Sequence, residues 1–358
     1  MMDRNGSGQL DGSYVTKQQS TVIKGLLILL IVLCHNYFFT NATVELQLMT
    51  YFYMFHITGF FILPVLYGGK KLSADRLKTY AVRYLWPFFL LAGVFYIGYS
   101  CIYLHREFDI NVLCKILIFS NSDILREYCG FQVLWFLPAM FATLVIRDLY
   151  FMGGKLVKLI IYLLTIAAVA QFTLCFWGIN IAGGFMNWIP LSFGSALYYL
   201  FFAFTARKII QYVGRNKMMF GLCVTISIAI SVTYFSPTAL SFLQKFALGR
   251  ILFPIVFFYI IWYLSDKLSR IRLLEKFGEN SLLIYLIHPF IGFIFIALLP
   301  GYLMYSASEK AIVSLITIVL FPAMSYFFAR IFGRCTMMYN FLFPNNYLAF
   351  KRNFSKQQ

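Results

Sequence analysis

Charged residues are scarce in this sequence, and their scarcity indicates its class. Only 12% of the 358 residues are Asp, Glu, Lys or Arg, whereas soluble domains contain about 25%. Hydrophobic residues make up 61%, and the mean hydropathy is +0.77. These values exclude a soluble domain and predict an all-α, polytopic membrane protein, because a membrane-spanning helix needs about 20 mainly apolar residues.

Acidic residues are the rarer charged type, with 13 in the whole chain. We place all of them in loops or at helix ends. Proton-coupled carriers usually need a carboxylate inside the membrane as a proton relay. The lack of one argues against that transport mechanism.

Metal-binding cysteine patterns are also missing. The seven cysteines include no CxxC pair and no Cys/His cluster, so no metal site is predicted. Cys114 and Cys129 share the long loop over about 105–130 and could form a disulfide in an oxidising compartment. That loop could be a binding element or a plain connection.

Ten apolar segments are long enough, or nearly so, to cross a membrane as helices. Their approximate limits are 22–40, 48–68, 82–104, 131–150, 156–177, 188–206, 218–235, 247–264, 281–299 and 311–329. The chain is thus predicted to contain a disordered cytoplasmic N-terminus over 1–20, one membrane domain over 21–334 and a cytoplasmic tail over 335–358. Residues 1–20 do not resemble a cleavable signal peptide.

Basic residues are concentrated in alternate loops. With ten spans, 24 of the 30 Lys and Arg residues fall on one side of the membrane and six on the other. Cytoplasmic loops are enriched in Lys and Arg, so both termini are predicted to lie in the cytoplasm. The net charge of +17 is explained by this membrane topology, and no nucleic-acid partner is predicted.

The first span carries a distinctive pair of polar residues. His35 follows Lys24 by eleven positions, and no charged residue lies between them. On a helix the two fall on one face, about 16 Å apart along the axis. With Lys24 at the membrane surface, His35 lies near the middle of a hydrocarbon layer about 30 Å thick. An ionisable residue at that depth is costly and indicates function, although a single histidine could equally bond to a neighbouring helix.

Two more of the four histidines are predicted at a similar depth. We place His56 about 12 Å from the outer face and His288 about 10–15 Å from the inner face. The shared level predicts one polar site built by three helices. Asn36 adjoins His35, and Tyr285 lies on the helical face of His288, so both are candidate supporting residues.

A basic inner loop precedes the third span and includes Arg83 at its end. Such a cluster could hold the phosphates of a cytosolic nucleotide donor. The basic cluster could equally reflect membrane topology, and we favour this explanation for the basic loop as a whole. Arg83 is the better candidate, because it begins the apolar segment RYLWPFF and can point inward.

Several of these motifs resemble those of the membrane acyltransferase-3 family. Lys24-x10-His35 is similar to the family's Arg-x10-His, with Lys in the Arg position. FHITGFFIL over 55–63 is similar to FHMPLFFFL, with His56 in the His position. Arg83 and Pro87 resemble the family's basic, proline-ended start of span 3.

Two further motifs continue the resemblance in the same order. LWFLPAMF over 134–141, which includes Trp135, looks like the family's LWFL segment. ENSLLIYLIHPF over 279–290 resembles NSLxIYLxHPF. The chain departs from the family at Pro64-Val65, where Ser-Gly is usual, and at Tyr80, where a basic residue is expected. The most similar subgroup is the fucose 4-O-acetylase-like branch.

The resemblance implies an O-acyltransferase of the bacterial cytoplasmic membrane. It implies transfer of an acyl group, with acetyl expected, from acyl-CoA to a hydroxyl of a surface or lipid-linked glycan, with no permanently bound cofactor. His35 is the expected base or transient acyl carrier, since an imidazole with an ordinary pKa of about 6.5 can accept a proton. His56 and His288 would orient the acceptor or stabilise the oxyanion, and Lys24 and Arg83 would hold the donor.

Three alternatives remain open from the sequence. A flippase for polyprenyl-linked glycans would need a large hydrophilic path, whereas few polar residues line the predicted spans. A glycan polymerase usually carries a long, Arg-rich outer loop, but the outer loops here hold six basic residues in all. A structural membrane protein without a site would not explain three histidines at one level.

Overall fold

The computed structural model describes residues 12–36, 38, 51–176, 189–236, 242–299, 301–302 and 305–344. These residues are mainly helical and contain no β-strand, so the predicted all-α class is confirmed. The contacts divide the chain into two compact units. Unit 1 comprises Met1–Tyr14, Phe61–Phe204 and Thr336–Gln358, and unit 2 comprises Val15–Phe60 and Thr205–Cys335. The sequence did not indicate this division.

Fifteen α-helices are named here in chain order. They are α1 (Lys17–Cys34), α2 (Thr58–Leu66), α3 (Ala74–Tyr80), α4 (Trp86–Tyr96), α5 (Ile110–Phe119), α6 (Ser122–Cys129), α7 (Phe136–Met152), α8 (Lys155–Phe176), α9 (Phe193–Val213), α10 (Lys217–Phe235), α11 (Phe242–Leu268), α12 (Arg272–Glu279), α13 (Ser281–Leu298), α14 (Ala307–Arg334) and α15 (Thr336–Leu342). Two π-helical segments, Ala81–Leu85 and Ile97–Tyr103, join and extend α3 and α4.

Within the described residues, eight helical segments are long and apolar enough to cross a membrane. They are Lys17–Cys34, Ala74–Tyr103, Gln132–Met152, Lys155–Cys175, Lys217–Phe235, Gly249–Leu268, Ser281–Leu298 and Ser308–Arg334. The protein is therefore a polytopic membrane protein, as predicted. Of the other two predicted spans, one corresponds to the shorter apolar segment Tyr51–Leu66. The other overlaps α9, whose interior contains Arg207 and Lys208.

The first helix begins earlier and ends earlier than the sequence indicated. Thr16 and Gln19 form a capping box: Thr16 Oγ1 accepts from the Gln19 backbone N–H at 3.1 Å, and Gln19 Oε1 accepts from the Thr16 N–H at 2.8 Å. This box starts α1 at Lys17, so the predicted disordered segment is wrong over 17–20. The helix ends at Cys34, with His35 as its C-cap. Residues 1–11 of the predicted N-terminus lie outside the described residues.

The predicted cytoplasmic tail also contains structure, because α15 occupies Thr336–Leu342 and belongs to unit 1. The Trp86 indole N–H donates to the Phe341 carbonyl oxygen at 2.9 Å, which attaches this helix to α4. Residues 345–358 lie outside the described residues.

In the loop over 105–130, the two cysteines are not paired. Cys114 is exposed, whereas Cys129 is buried and its thiol contacts the Ala92 carbonyl oxygen at 3.6 Å. Burial raises the pKa of Cys129 to about 12, so this thiol stays protonated at neutral pH and is a poor nucleophile.

In unit 2, α1 and α12 approach each other at two glycines. A Cβ on Gly25 would overlap the Leu274 carbonyl oxygen, and a Cβ on Gly278 would overlap the Thr21 carbonyl oxygen. The two backbones are thus in direct contact, as in the small-residue crossings of membrane helices. This crossing fixes α1 against the segment that leads into α13.

We predict that Gly278→Ala destabilises the protein by about 1–3 kcal/mol, because the added methyl group forces the two backbones apart. Gly221→Ala in α10 is the matched control, since a Cβ there meets nothing within 4 Å. Heating purified protein in detergent and measuring the remaining monodisperse fraction by size-exclusion chromatography compares the two. Equal melting temperatures would show that the crossing tolerates a side chain.

Candidate functional site

The three histidines predicted to share one site come together in unit 2. The ring centroid of His35 lies 5.1 Å from that of His288 and 6.4 Å from that of His56. His35 is therefore the central member of a three-imidazole cluster. The geometric part of the sequence prediction, that rings from three separate segments meet, agrees with these distances.

Two of the histidines lie at or beside helix ends, and the third lies next to a proline inside a helix. His35 caps the end of α1, His56 lies in the turn over 54–57 that precedes α2, and His288 is followed by Pro289 within α13. Interrupted helices at membrane depth are tolerated where they line a cavity or are buried in protein, and they often form binding sites. His35 is thus at a helix end, and not inside a helix that continues to residue 40 as predicted.

Backbone carbonyls fix the orientation of two of the rings. His56 Nδ1 donates to the Phe52 carbonyl oxygen at 2.5 Å, and His288 Nδ1 donates to the Ile284 carbonyl oxygen at 3.2 Å. A carbonyl only accepts, so Nδ1 carries the proton in both rings. In the neutral form, Nε2 of each ring then presents a lone pair. His288 Nε2 is buried and has no hydrogen-bond partner among the described residues.

The rings differ in accessibility. His56 and His288 are buried, with relative exposures of 1% and 0%. His35 is partly exposed. His35 is therefore the most accessible of the three histidines.

Two neighbouring residues complete the cluster, and the sequence analysis missed both as site residues. The Tyr53 hydroxyl lies 3.3 Å from His35 Nε2, and its ring centroid lies 5.0 Å from that of His56. Arg250 interacts electrostatically with His56. It is held there by the packing of α11 on the 51–56 segment, where Gly249 abuts Met54 Sδ.

Both residues had a signal in the sequence. Tyr53 precedes His56 by three positions, which places the two on one helical face. Arg250 lies inside the predicted span 247–264, and an ionisable residue inside a span indicates function. In the ten-span topology, Arg250 is one of the six basic residues assigned to the outer side.

The other candidates in unit 2 lie near the cluster along the chain. Lys24 is partly exposed on α1, beside the glycine crossing. Asn36 is buried next to His35, with 1% relative exposure. Tyr285 is buried, and its ring centroid lies 5.8 Å from that of His288.

Arg83 and Trp135 belong to unit 1. Arg83 lies in the π-helical segment Ala81–Leu85 and is exposed, so the expected inward orientation is wrong. Its guanidinium carbon lies 5.6 Å from the Tyr84 ring centroid. Trp135 is near-parallel to Phe61, at a centroid distance of 6.2 Å, within an aromatic group.

A closed network explains why Tyr80 occupies the position where the resemblance predicts a basic residue. Arg147 donates to the Tyr80 hydroxyl at 2.9 Å and to Asp148 Oδ1 at 2.8 Å, and Tyr80 donates to Asp148 Oδ2 at 2.7 Å. A second cation at position 80 would be repelled by Arg147. Tyr80 is therefore part of the structural support of unit 1.

The same network corrects the account of acidic residues. Asp148 is fully buried within the candidate span Gln132–Met152. Its carboxylate is paired with Arg147 and also accepts from the Lys70 backbone N–H at 3.2 Å. A carboxylate held by three donors is a structural ion pair and is not available as a mobile proton relay.

No group of three or more His, Cys, Asp or Glu residues in the described part of the chain could hold a metal ion. The three imidazoles are close together, but they are not arranged as a ligand set. The cluster and its two neighbouring residues present imidazole, phenol and guanidinium groups.

Comparison with known families identifies the class of this protein. The family model described as "Acyltransferase domain", the acyltransferase-3 family, matches residues 19–329. The chain belongs to this family and is a membrane acyltransferase. Searches of curated proteins and of solved structures gave no match.

We predict that Tyr53→Phe lowers the rate of acyl transfer by about tenfold, since it removes one hydroxyl contact to His35 and keeps the ring. Tyr51→Phe is the matched control, because its hydroxyl lies 2.6 Å from Ser231 Oγ, and not at a histidine. The measurement is the initial rate of acyl transfer by each of the two purified variants. If Tyr53→Phe is as active as Tyr51→Phe, the Tyr53 hydroxyl does not act on His35.

Proposed function

We propose that this protein is an O-acyltransferase that moves an acyl group, most simply acetyl, from acyl-CoA to a hydroxyl of a bacterial surface or lipid-linked glycan. Membership of the acyltransferase family supports acyl transfer as the class of reaction. The motif resemblance to the fucose 4-O-acetylase-like branch supports the glycan acceptor. The family also supplies a reason to prefer acyl transfer over the flippase and polymerase alternatives.

The observation that carries the proposal is the partly exposed His35 between two buried imidazoles. A neutral His35 accepts the proton of the acceptor hydroxyl as its oxygen attacks the thioester carbonyl. The C–S bond then breaks, and the proton passes from His35 to the departing CoA sulfur. The products are an O-acyl ester and free CoA, so the imidazole is regenerated in each turnover. Transient acylation of His35 is the variant of this route.

The hydrogen bonds refine the roles of the two buried histidines. Because Nδ1 of both His56 and His288 donates to a backbone carbonyl, their Nε2 atoms can accept but cannot donate in the neutral form. They are therefore suited to accept from acceptor hydroxyls and orient the sugar. They are not suited, when neutral, to stabilise an oxyanion.

Stabilisation of the developing negative charge then requires other donors. The Tyr53 hydroxyl, which lies 3.3 Å from His35 Nε2, and the Arg250 guanidinium, which acts electrostatically on His56, are candidates to supply it. Preorganised donors of this kind contribute the largest share of many acyl-transfer accelerations. We assign Tyr53 and Arg250 to this role in place of the oxyanion function first expected of His56 and His288.

Donor binding needs positive charge for the phosphate groups of CoA. Lys24 supplies one charge at the other end of the helical run that leads to His35. Arg83 is a further donor-binding candidate through the family resemblance, and its exposed guanidinium is open to phosphate groups from solvent.

We expect His35→Ala to reduce transfer of radiolabelled acetyl from acetyl-CoA to extracted cell glycan by about 10²–10⁴-fold, the usual contribution of a general base. Tyr212→Ala is the matched control, since Tyr212 is an aromatic side chain of α9 that is 82% exposed and belongs to no candidate site. Membrane insertion of both variants is checked by size-exclusion chromatography in detergent. A wild-type rate in a folded His35→Ala variant would refute the assignment, and no label on glycan with the wild type would refute the acceptor class.

A further inference from the structure

A second polar site lies in unit 1, in the loop between the candidate spans Ala74–Tyr103 and Gln132–Met152. A groove of about 480 Å³ opens there, and its lining includes Tyr96, Ser100, Arg106, Glu107, Asp109 and Tyr128. This volume falls within the range of roughly 300–1,000 Å³ that is typical of small-molecule sites. None of these residues was used by the acyl-transfer mechanism.

The backbone of the groove is held in a defined shape. His105 adopts a positive φ of 52°, which turns the chain sharply, and the next N–H, of Arg106, donates to the Ser100 carbonyl oxygen at 3.0 Å. The Tyr96 hydroxyl donates to the Asp109 carbonyl oxygen at 3.2 Å and accepts from the Asp109 N–H at 3.0 Å. The backbone of this loop is therefore held in a defined shape by its own hydrogen bonds.

The far wall is also fixed. The Ser100 hydroxyl donates to the Tyr128 carbonyl oxygen at 2.6 Å. The Arg106 guanidinium carbon lies 5.9 Å from the Tyr128 ring centroid. A hydrogen bond to Glu127 raises the pKa of the Tyr128 hydroxyl, so this aromatic surface stays uncharged at working pH.

The charges in the groove discriminate among ligand classes. Its lining contains one cation, Arg106, and two carboxylates, those of Glu107 and Asp109, and the Lys115 ammonium lies at its edge, 5.8 Å from the Tyr128 ring centroid. The charges therefore balance, and the groove offers phosphate, an anionic lipid headgroup or CoA no excess of positive charge, although the protein as a whole carries +17. A neutral polyol is not repelled. Its hydroxyls can donate to Glu107 and accept from Arg106.

Aromatic side chains complete the match to a sugar. Tyr128 in the groove lining is partly exposed and Phe108 at its edge is 55% exposed, whereas Tyr96 is buried, with 2% relative exposure. An aromatic ring offers an apolar face to the C–H side of a pyranose, while carboxylate and guanidinium groups bind its edge. Glu107 makes no ion pair among the described residues, so its carboxylate is available to a ligand.

We infer that this groove is a saccharide-binding site that holds a neutral part of the acceptor glycan, separate from the imidazole cluster. The identity of the saccharide as acceptor rests on the proposed function. The existence of the binding site does not. The basic-residue distribution, which predicts that the loop over 105–130 faces the outside, is consistent with a surface glycan as the ligand.

The test uses full-length protein in nanodiscs of zwitterionic lipid. The probe is an oligosaccharide fraction released from the surface glycan of the producing cells, O-deacylated with mild alkali and labelled with a fluorophore at its reducing end. Glu107→Gln and Arg106→Gln are the groove variants. Arg126→Gln is the matched control, because Arg126 lies in the same loop and pairs with Asp123 on the exposed surface, outside the groove lining.

We expect each groove variant to weaken probe binding by about tenfold, because it loses one or two polar contacts to the probe. Binding is measured by fluorescence anisotropy in the absence of acyl donor. In the transfer assay, the KM for the oligosaccharide rises by a similar factor, whereas kcat and the KM for acetyl-CoA stay unchanged. Arg126→Gln behaves as the wild type. Because Arg106 and Glu107 are exposed side chains, both variants are expected to fold, which thermal stability in detergent verifies.

The outcomes separate this inference from the proposed function. Unchanged probe affinity in both groove variants overturns the saccharide site, whatever the transfer assay shows. Displacement of the probe by millimolar inorganic phosphate also overturns it, because that would identify an anion site. If binding is lost in the groove variants but the wild type transfers no acetyl to the probe, the site stands and the proposed acceptor reaction fails.

Discussion

The contact between two helix backbones at Gly25 and Gly278 is the constraint on which the imidazole cluster depends. Gly25 precedes His35 by ten residues, and Gly278 precedes His288 by ten residues. A crossing at the two glycines therefore brings both histidines to a similar distance from the contact, with α1 continuous on one side and α12, Asn280 and α13 on the other. The two rings have a centroid separation of 5.1 Å, which agrees with this equal spacing along the chain.

The site itself arises where regular helices stop. The end of α1, the turn over 54–57 and Pro289 in α13 release the chain from regular helical bonding beside each histidine. The carbonyls of Phe52 and Ile284 then accept from the histidine rings and set their tautomers. The loss of regular helical bonding thus makes the site polar and sets the direction in which the lone pairs of the rings point. A base-catalysed transfer to a hydroxyl requires both features.

The sequence was sufficient for the features that depend on composition and spacing. The apolar runs predicted the membrane helices, and the Lys24–His35 spacing together with His56 and His288 predicted the cluster. Features set by tertiary packing were not predictable. Arg83 points outward although it begins an apolar segment, and Arg250 reaches the cluster only because Gly249 lets α11 approach Met54. Helix ends such as Cys34 depend on the same kind of contact.

The central claim is that His35 and His288 act as parts of one catalytic site. A double-mutant cycle with His35→Ala, His288→Ala and the double variant tests it, with initial acyl-transfer rates as the readout. Residues that act as a unit are strongly non-additive. The account predicts that the double variant is no slower than the slower single variant, within the error of the assay. If the losses of the two single variants multiply in the double variant, the two imidazoles act independently and the account is contradicted.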